Sequence, residues 1–173
     1  DPVETIDPNK GGSPQDYFNT VLWTGNDADD RSISGVGFQP DWVWLKARNH
    51  TYNHYVLDSV RGDDAILFPN LTNAEDTTDD TGFDSFDSDG FTISQVNGWE
   101  INDNGKTYVA WNWKAGGSGV SNTDGSITST VSANADTGFS IVSYTGTGSD
   151  GSTVGHGLSS APELAIIKGR DAG

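Results

Sequence analysis

The chain repeats its opening pattern near its end, which limits it to folds that can be copied. Residues 18–25 read F-N-T-V-L-W-T-G, and residues 139–146 read F-S-I-V-S-Y-T-G. Further on, Gly37 matches Gly157, Pro40 matches Pro162, and Asp41 matches Glu163. Lys46 with Arg48 matches Lys168 with Arg170, and W-V-W-L at 42–45 stands against L-A-I-I at 164–167. The offset is 121 residues at the phenylalanines and 122 at the prolines. That is too long for a solenoid repeat and suits a duplicated domain. The chain reads as one complete unit and the opening of another. Residues 1–16 are expected to be a linker and 17–115 the first β domain. Residues 116–137 read as a Gly/Ser-rich linker and strand, and 138–173 as an incomplete second copy.

Short apolar–polar alternations between turn residues fill the sequence, and helical periodicity is rare. The expected fold is all-β, an antiparallel β-sandwich or jelly-roll-like domain. Strands are expected at Thr20–Thr24, Asp41–Ala47, Tyr52–Leu57, Ala65–Phe68, Phe91–Ser94, Ser126–Val131, Phe139–Thr145 and Glu163–Lys168, with a long polar loop over 69–85. Asp103-Asn104-Gly105 predicts a hairpin between Trp99–Asn102 and Thr107–Trp113. Trp42, Trp44 and Lys46 fall on one strand face, as do Trp111 and Trp113. These four tryptophans are the expected core, since each buries on the order of 200 Å².

The formal net charge is −16, with 9 Lys and Arg against 25 Asp and Glu. Nucleic acid is therefore excluded as a partner, because binding it needs clustered cations; an anionic membrane is disfavoured for the same reason. The absence of Cys removes disulfides and thiolate metal sites. Met is absent even at position 1, which points to a processed chain or a fragment.

Most chemical motifs fail on context. Gly146, Gly148 and Gly151 match a dinucleotide fingerprint, but the residues that follow, S-T-V-G-H-G, are a loop rather than a helix. Asp87-x-Asp89-Gly90 begins like a calcium loop, yet Phe91 and Gly98 stand where an EF-hand needs oxygen ligands. The plain alternative is a turn feeding a strand; a calcium site of another type using Asp84, Asp87 or Asp89 stays open, and no other cofactor is expected. His50, His54 and His156 have no partner motif and read as turn or half-buried residues. N-x-T sequons at Asn49 and Asn70 matter only in a glycosylating host. With no nucleophile elbow, H-E-x-x-H or P-loop, the chain reads as non-enzymatic. Sugar recognition would use an aromatic platform beside polar groups; Trp23, Tyr52 and Trp99 are the aromatics least expected in the core.

Longer strings carry a resemblance. Y-F-N-T-V-L-W-T-G at 17–25, S-I-S-G-V-G-F-Q-P-D-W-V-W-L-K at 32–46 and D-S-V-R-G at 58–62 form one set. F-D-S-D-G-F-T at 86–92, T-Y-V-A-W-N-W-K-A-G at 107–116 and V-G-H-G-L…A-P at 154–162 complete it. Together they resemble a domain of uncharacterised function that recurs in tandem in virion and tail-fibre-like proteins of marine bacteriophages. The resemblance implies a virion-surface or extracellular location and a structural or adhesive job, with other virion or filament subunits and host-surface glycans as partners. A homo-oligomer is expected. Two alternatives stand beside this reading: a purely structural filament subunit held by intersubunit strand pairing, and a glycan depolymerase. Glu163–Lys168 sharpens the first, because an apolar strand without partners must be covered. Either the polypeptide continues past Gly173, which is the favoured reading, or the strand is completed by residues 1–137 or by a neighbouring subunit through β-augmentation.

Overall fold

The computed structural model describes residues 13–78 and 81–171, so most of the 1–16 linker lies outside the described residues. After a single 3-10 turn at Pro14–Asp16 the chain forms β1 (Phe18–Thr24), β2 (Arg31–Ser34), β3 (Trp42–Ala47), β4 (His54–Asp58), β5 (Gly62–Leu67), β6 (Phe83–Asp87), β7 (Gly90–Ile93), β8 (Thr107–Trp113), β9 (Val120–Asn122), β10 (Ser129–Asn134) and β11 (Phe139–Tyr144). The fold is all-β, and every pairing between these strands is antiparallel.

The first unit is a sandwich. A five-stranded sheet in the order β1-β8-β3-β4-β5 packs its inner face on a three-stranded sheet, β2-β7-β6. Alternation along each strand selects the inner side chains. Val43, Leu45 and Ala47 from β3, Tyr55 and Leu57 from β4, and Tyr108 and Ala110 from β8 point inward. They meet Ile33, Phe83, Phe91 and Ile93 of the small sheet. Where β2 crosses β7, Ser34 lies opposite Gly90. Gly90 has φ 150°, and a Cβ there would lie 2.0 Å from the Ile33 carbonyl oxygen; only glycine lets the two strands close.

The four tryptophans expected in the core are instead half-buried on the outer face of the large sheet. The core tryptophan is Trp23, only 7% exposed and stacked on Tyr108 at 5.2 Å. The choice of face has a simple cause. Lys46 shares the register side of Trp42 and Trp44, while the other side of β3 is purely aliphatic. An aliphatic face can be sealed dry; a face with a lysine cannot.

The expected hairpin across 103–105 also does not form. Both edges of β8 are taken, by β1 on one side and β3 on the other, so no edge is left for residues 99–102. These residues form a turn with a Val96–Trp99 bridge. The fully buried Asn102 donates to the Ala28 carbonyl at 2.8 Å and accepts from Arg31 at 2.9 Å.

The repeated segment 139–170 starts as its sequence match at 18–48 does and then departs. β11 is the counterpart of β1, and Gly37 and Gly157 both have positive φ, 88° and 71°. The segment equivalent to β3, 163–168, is not a strand: Leu164, Ile166 and Ile167 are exposed. In the first unit β3 is flanked by β8 and β4, and residues 164–171 have no such flanking strands among the described residues. β10 pairs with both β9 and β11, so the 116–137 segment belongs to the same sheet as the opening of the second copy.

Side chains and one backbone hydrogen bond tie residues 139–171 to the sandwich, and the 116–137 segment is braced within itself. Phe139 packs on Trp42 and Trp113, each at 6.0 Å. Ser132 Oγ accepts from Gly116 N at 3.0 Å and donates to the Gly117 carbonyl at 2.6 Å. Arg170 binds Glu75 through Nε and Nη2, with Nη2–Oε2 at 2.6 Å, and Glu75 N donates to the Arg170 carbonyl at 2.7 Å. Glu75 is shared with the buried Arg61, which also pairs with Asp58 at 2.6 Å. Burial alone would push the Glu75 carboxyl up, but hydrogen bonds from Arg170 and Arg61 more than offset it and hold it below the usual range.

The two classes of tryptophan separate in a stability experiment. Trp23→Ala is expected to cost about 3–5 kcal/mol in urea unfolding, because it opens a core cavity. Trp111→Ala, on the half-buried face, is expected to cost roughly 1–2 kcal/mol. Equal losses for the two would contradict the assignment of faces.

Candidate functional site

One corner of the sandwich gathers loops that carry aromatic and polar side chains. Tyr52 precedes β4, Gln95 follows β7, and Trp99, Glu100 and Asp103 lie in the turn before β8. The Asp103 carboxylate organises the corner. It accepts from Tyr52 Oη at 2.6 Å and from Gln95 Nε2 at 3.0 Å, while Asp103 N donates to Tyr108 Oη at 3.1 Å. Gly25 makes this approach possible, since a Cβ there would lie 2.1 Å from the Asp103 carbonyl oxygen.

Aromatic rings frame the carboxylates. His50 and Tyr52 lie 4.0 Å apart. Trp99 stacks on Phe68 at 5.9 Å and 13°, with Tyr55 beside it at 6.0 Å. Tyr55 Oη donates to Glu100 Oε2 at 3.4 Å. The hydrogen bond to Asp103 is the main cause that pushes the Tyr52 phenol up to about 12. Desolvation raises Tyr55 and Tyr108 further. These phenols stay protonated at neutral pH, so the corner offers hydrogen bonds rather than a phenolate base. A depression of about 500 Å³ adjoins it, lined by Asp29, Asp84, Ser94, Gln95, Val96 and Asn97. Gln95 Oε1 is buried beside it with no donor among the described residues, and such an acceptor needs a hydroxyl or water to satisfy it.

Of the three aromatics singled out in the sequence, Tyr52 and Trp99 meet at this corner, each half-buried against the core. Trp23 does not; it is a core residue and has no ring face to offer. The three aspartates are kept apart. Asp84 accepts from Ser94 Oγ at 2.7 Å. Asp87 accepts from Ser85 and Thr92, both at 2.7 Å. Asp89 accepts from Gly37 N at 2.6 Å and Gly35 N at 3.1 Å, closing the loop after β2. Among the described residues no group of three or more His, Asp or Glu side chains is placed to hold a metal ion.

Sequence reasoning missed the second notable surface, the outer face of the large sheet. Its rows follow from register: Phe18–Trp113–Trp42, then Thr20–Trp111–Trp44–Val56, then Leu22–Val109–Lys46–His54. Trp42 lies edge-on to Trp113 at 4.5 Å and to Trp44 at 5.7 Å. At the end of this ladder Trp44 Nε1 donates to His54 Nδ1 at 3.0 Å. Desolvation, then the Lys46 charge, lowers the His54 pKa, as expected for an imidazole that must keep Nδ1 unprotonated to accept.

A family profile described as Domain of unknown function (DUF7483) matches residues 13–173, and the chain belongs to that family. No curated protein and no solved structure matches it.

His54 gives a pH signature. Its folded pKa lies below the unfolded value near 6.5, so the unfolded chain binds the proton more tightly. Its contribution to stability is present above pH 6.5 and is lost as pH falls through the depressed folded value. The melting temperature is expected to fall between pH 7.5 and 5. That fall should be smaller in His54→Gln, whose amide does not titrate; an identical pH profile for the two would refute the role of this pair.

Proposed function

We propose that this DUF7483 member is a non-enzymatic module of a virion surface or fibre, in which copies follow one another through a fixed junction and present a corner to host-surface glycans. The observation that carries the reading is the junction. Phe139 on Trp42 and Trp113, with Arg170 on Glu75, sets the orientation of the second copy by packing and charge rather than leaving it on a loose tether. A module with fixed orientation between copies adds reach and stiffness, which an extended appendage requires. The family resemblance supports the location. The phenol of Tyr52 and the Asp103 carboxylate it binds suit recognition of hydroxyl groups.

The adhesive part rests on Tyr52 and Trp99 beside Asp103, Glu100 and Gln95. Aromatic faces take the apolar side of a sugar ring, and carboxylates and amides take its hydroxyls. A purely structural filament subunit is the second reading; the aromatic packing of Phe139 on Trp42 and Trp113 serves it equally well.

Two experiments test these parts separately. Phe139→Ala combined with Arg170→Ala is expected to loosen the second copy, so that scattering in solution gives a larger radius of gyration than wild type while the first unit melts normally. An unchanged radius would remove the fixed junction. On a glycan array, Trp99→Ala is expected to weaken binding at least about tenfold, equivalent to about 1.4 kcal/mol. Trp111→Ala, on the other surface, should bind as wild type. Glycan binding untouched by Trp99→Ala would leave only the structural reading.

A further inference from the structure

The depression beside the Asp103 corner is lined by groups that accept hydrogen bonds, and contacts within the protein use up its Ser and Gln donors. Ser94 Oγ donates to Asp84 at 2.7 Å and accepts from Asp30 N at 2.8 Å. Gln95 Nε2 donates to Asp103 at 3.0 Å. That contact fixes the amide, so Oε1 is the atom left over, buried with no donor among the described residues. The exposed Asp29 and Asp84 add carboxylates, and neither Lys nor Arg is among the lining residues. Ionised carboxylates only accept. Asn97 alone brings side-chain N–H groups to the lining, and it is exposed. The volume of about 500 Å³ is that of a small-ligand pocket.

We infer that this depression is a subsite for a protonated amino group on a sugar, so that the corner selects glycans with free hexosamine units. The inference rests on the reading of the corner as a glycan site, and it names the sugar. An ammonium group brings donors and no acceptor, which matches Gln95 Oε1 and the two carboxylates. Bonds of this kind, with both partners charged, are about twice as strong as neutral ones. A hydroxyl would satisfy Oε1 but would leave the carboxylates without a counter-charge. N-acetylation removes the charge and sets a carbonyl acceptor among acceptors. A uronic acid or sulfate would face Asp29 and Asp84 with like charge. The loop geometry joins the subsite to the aromatic platform. Trp99 N donates to the Val96 carbonyl at 3.0 Å, so one tight turn carries Val96 and Asn97 of the depression and the Trp99 ring.

Calorimetric titration of the full chain tests it, in EDTA and at a pH at which sugar amines are protonated. The probes are a β-1,4-linked glucosamine oligomer, its fully N-acetylated counterpart and a glucose oligomer of equal length. The glucosamine oligomer is expected to bind about tenfold or more tightly than either of the others, equivalent to about 1.4 kcal/mol. Asp29→Asn should abolish most of that preference and leave the affinity for the acetylated oligomer unchanged. Asp150→Asn, an exposed aspartate outside the depression, makes the same change in net charge and should keep the preference. Equal or tighter binding of the acetylated or glucose oligomer overturns the inference while leaving the glycan reading standing. So does a preference that Asp150→Asn lowers as much as Asp29→Asn, which would be attraction to the net charge alone. A preference that appears only when calcium replaces EDTA assigns the acceptors to a metal ion and overturns it too. Binding of none of the three also overturns it, and the glycan array with Trp99→Ala then decides the broader reading separately.

Discussion

The first unit depends on β8 reaching the gap between β1 and β3. Every residue from Thr107 to Trp113 has a partner in β1, and Tyr108 to Trp113 have partners in β3 as well. That one strand sends Tyr108 and Ala110 into the core and Trp111 and Trp113 to the outer ladder. Its partners lie far away in sequence, so the sheet closes only after a long stretch of chain has been ordered, a costly topology to nucleate. The closed end is then fastened by the buried Asp41, which accepts from Ala115 N at 2.7 Å, Gly117 N at 3.2 Å and Ser59 Oγ at 3.0 Å. The start of β3, the turn after β4 and the end of β8 meet on one carboxylate, and its three donors satisfy a charge that burial would otherwise penalise.

Period-two alternation was enough to read the fold class and the positions of β1, β3, β4 and β8. It put Trp42 with Trp44 and Trp111 with Trp113 correctly, because facing is a local property. Which face is buried is not local. Size alone favours burying tryptophan, and here that preference loses to Lys46, whose ammonium bonds the Ala47 and His50 carbonyls at the protein surface. Trp23 shows the opposite case: its strand is the sheet edge, yet its ring enters the core because Tyr108 and Phe91 provide a slot. The hairpin over 103–105 was a strong local signal defeated by competition for edges. The Asp103 corner was illegible for another reason, since its members come from positions 52, 95, 99, 100 and 103 and only the folded loops bring them together.

Charge burial explains why the junction is specific. Arg61 donates to Asp58, Glu75 and the carbonyls of Val56 and Ala65, so the turn after β4 is organised around one guanidinium. Glu75 has side-chain exposure of 7%. A lone buried carboxylate facing one arginine would still have oxygen capacity to fill, and Arg170 fills it with a bidentate contact. A partly exposed ion pair of this kind adds little raw stability. It does fix direction, because Arg170 can satisfy Glu75 only from one approach, while Phe139 holds the other end of the junction through apolar contact.

The same amino-acid pattern meets two fates in this molecule, and the contrast isolates what makes a strand. W-V-W-L-K-A at β3 and L-A-I-I-K-G at 164–169 share alternation, an apolar majority and a lysine at the same place. Ile at two positions of the second segment gives it β propensity comparable to the first. Propensity therefore cannot be what separates them. β3 has β8 and β4 on its two edges and a closed core beneath Val43 and Leu45, whereas 164–169 pairs with no strand among the described residues and touches the sandwich through Lys168 Nζ on the Asn73 carbonyl. A strand owes its existence to neighbours that accept its amides and cover its side chains. By that argument the two segments differ in their available partners rather than in their intrinsic propensity.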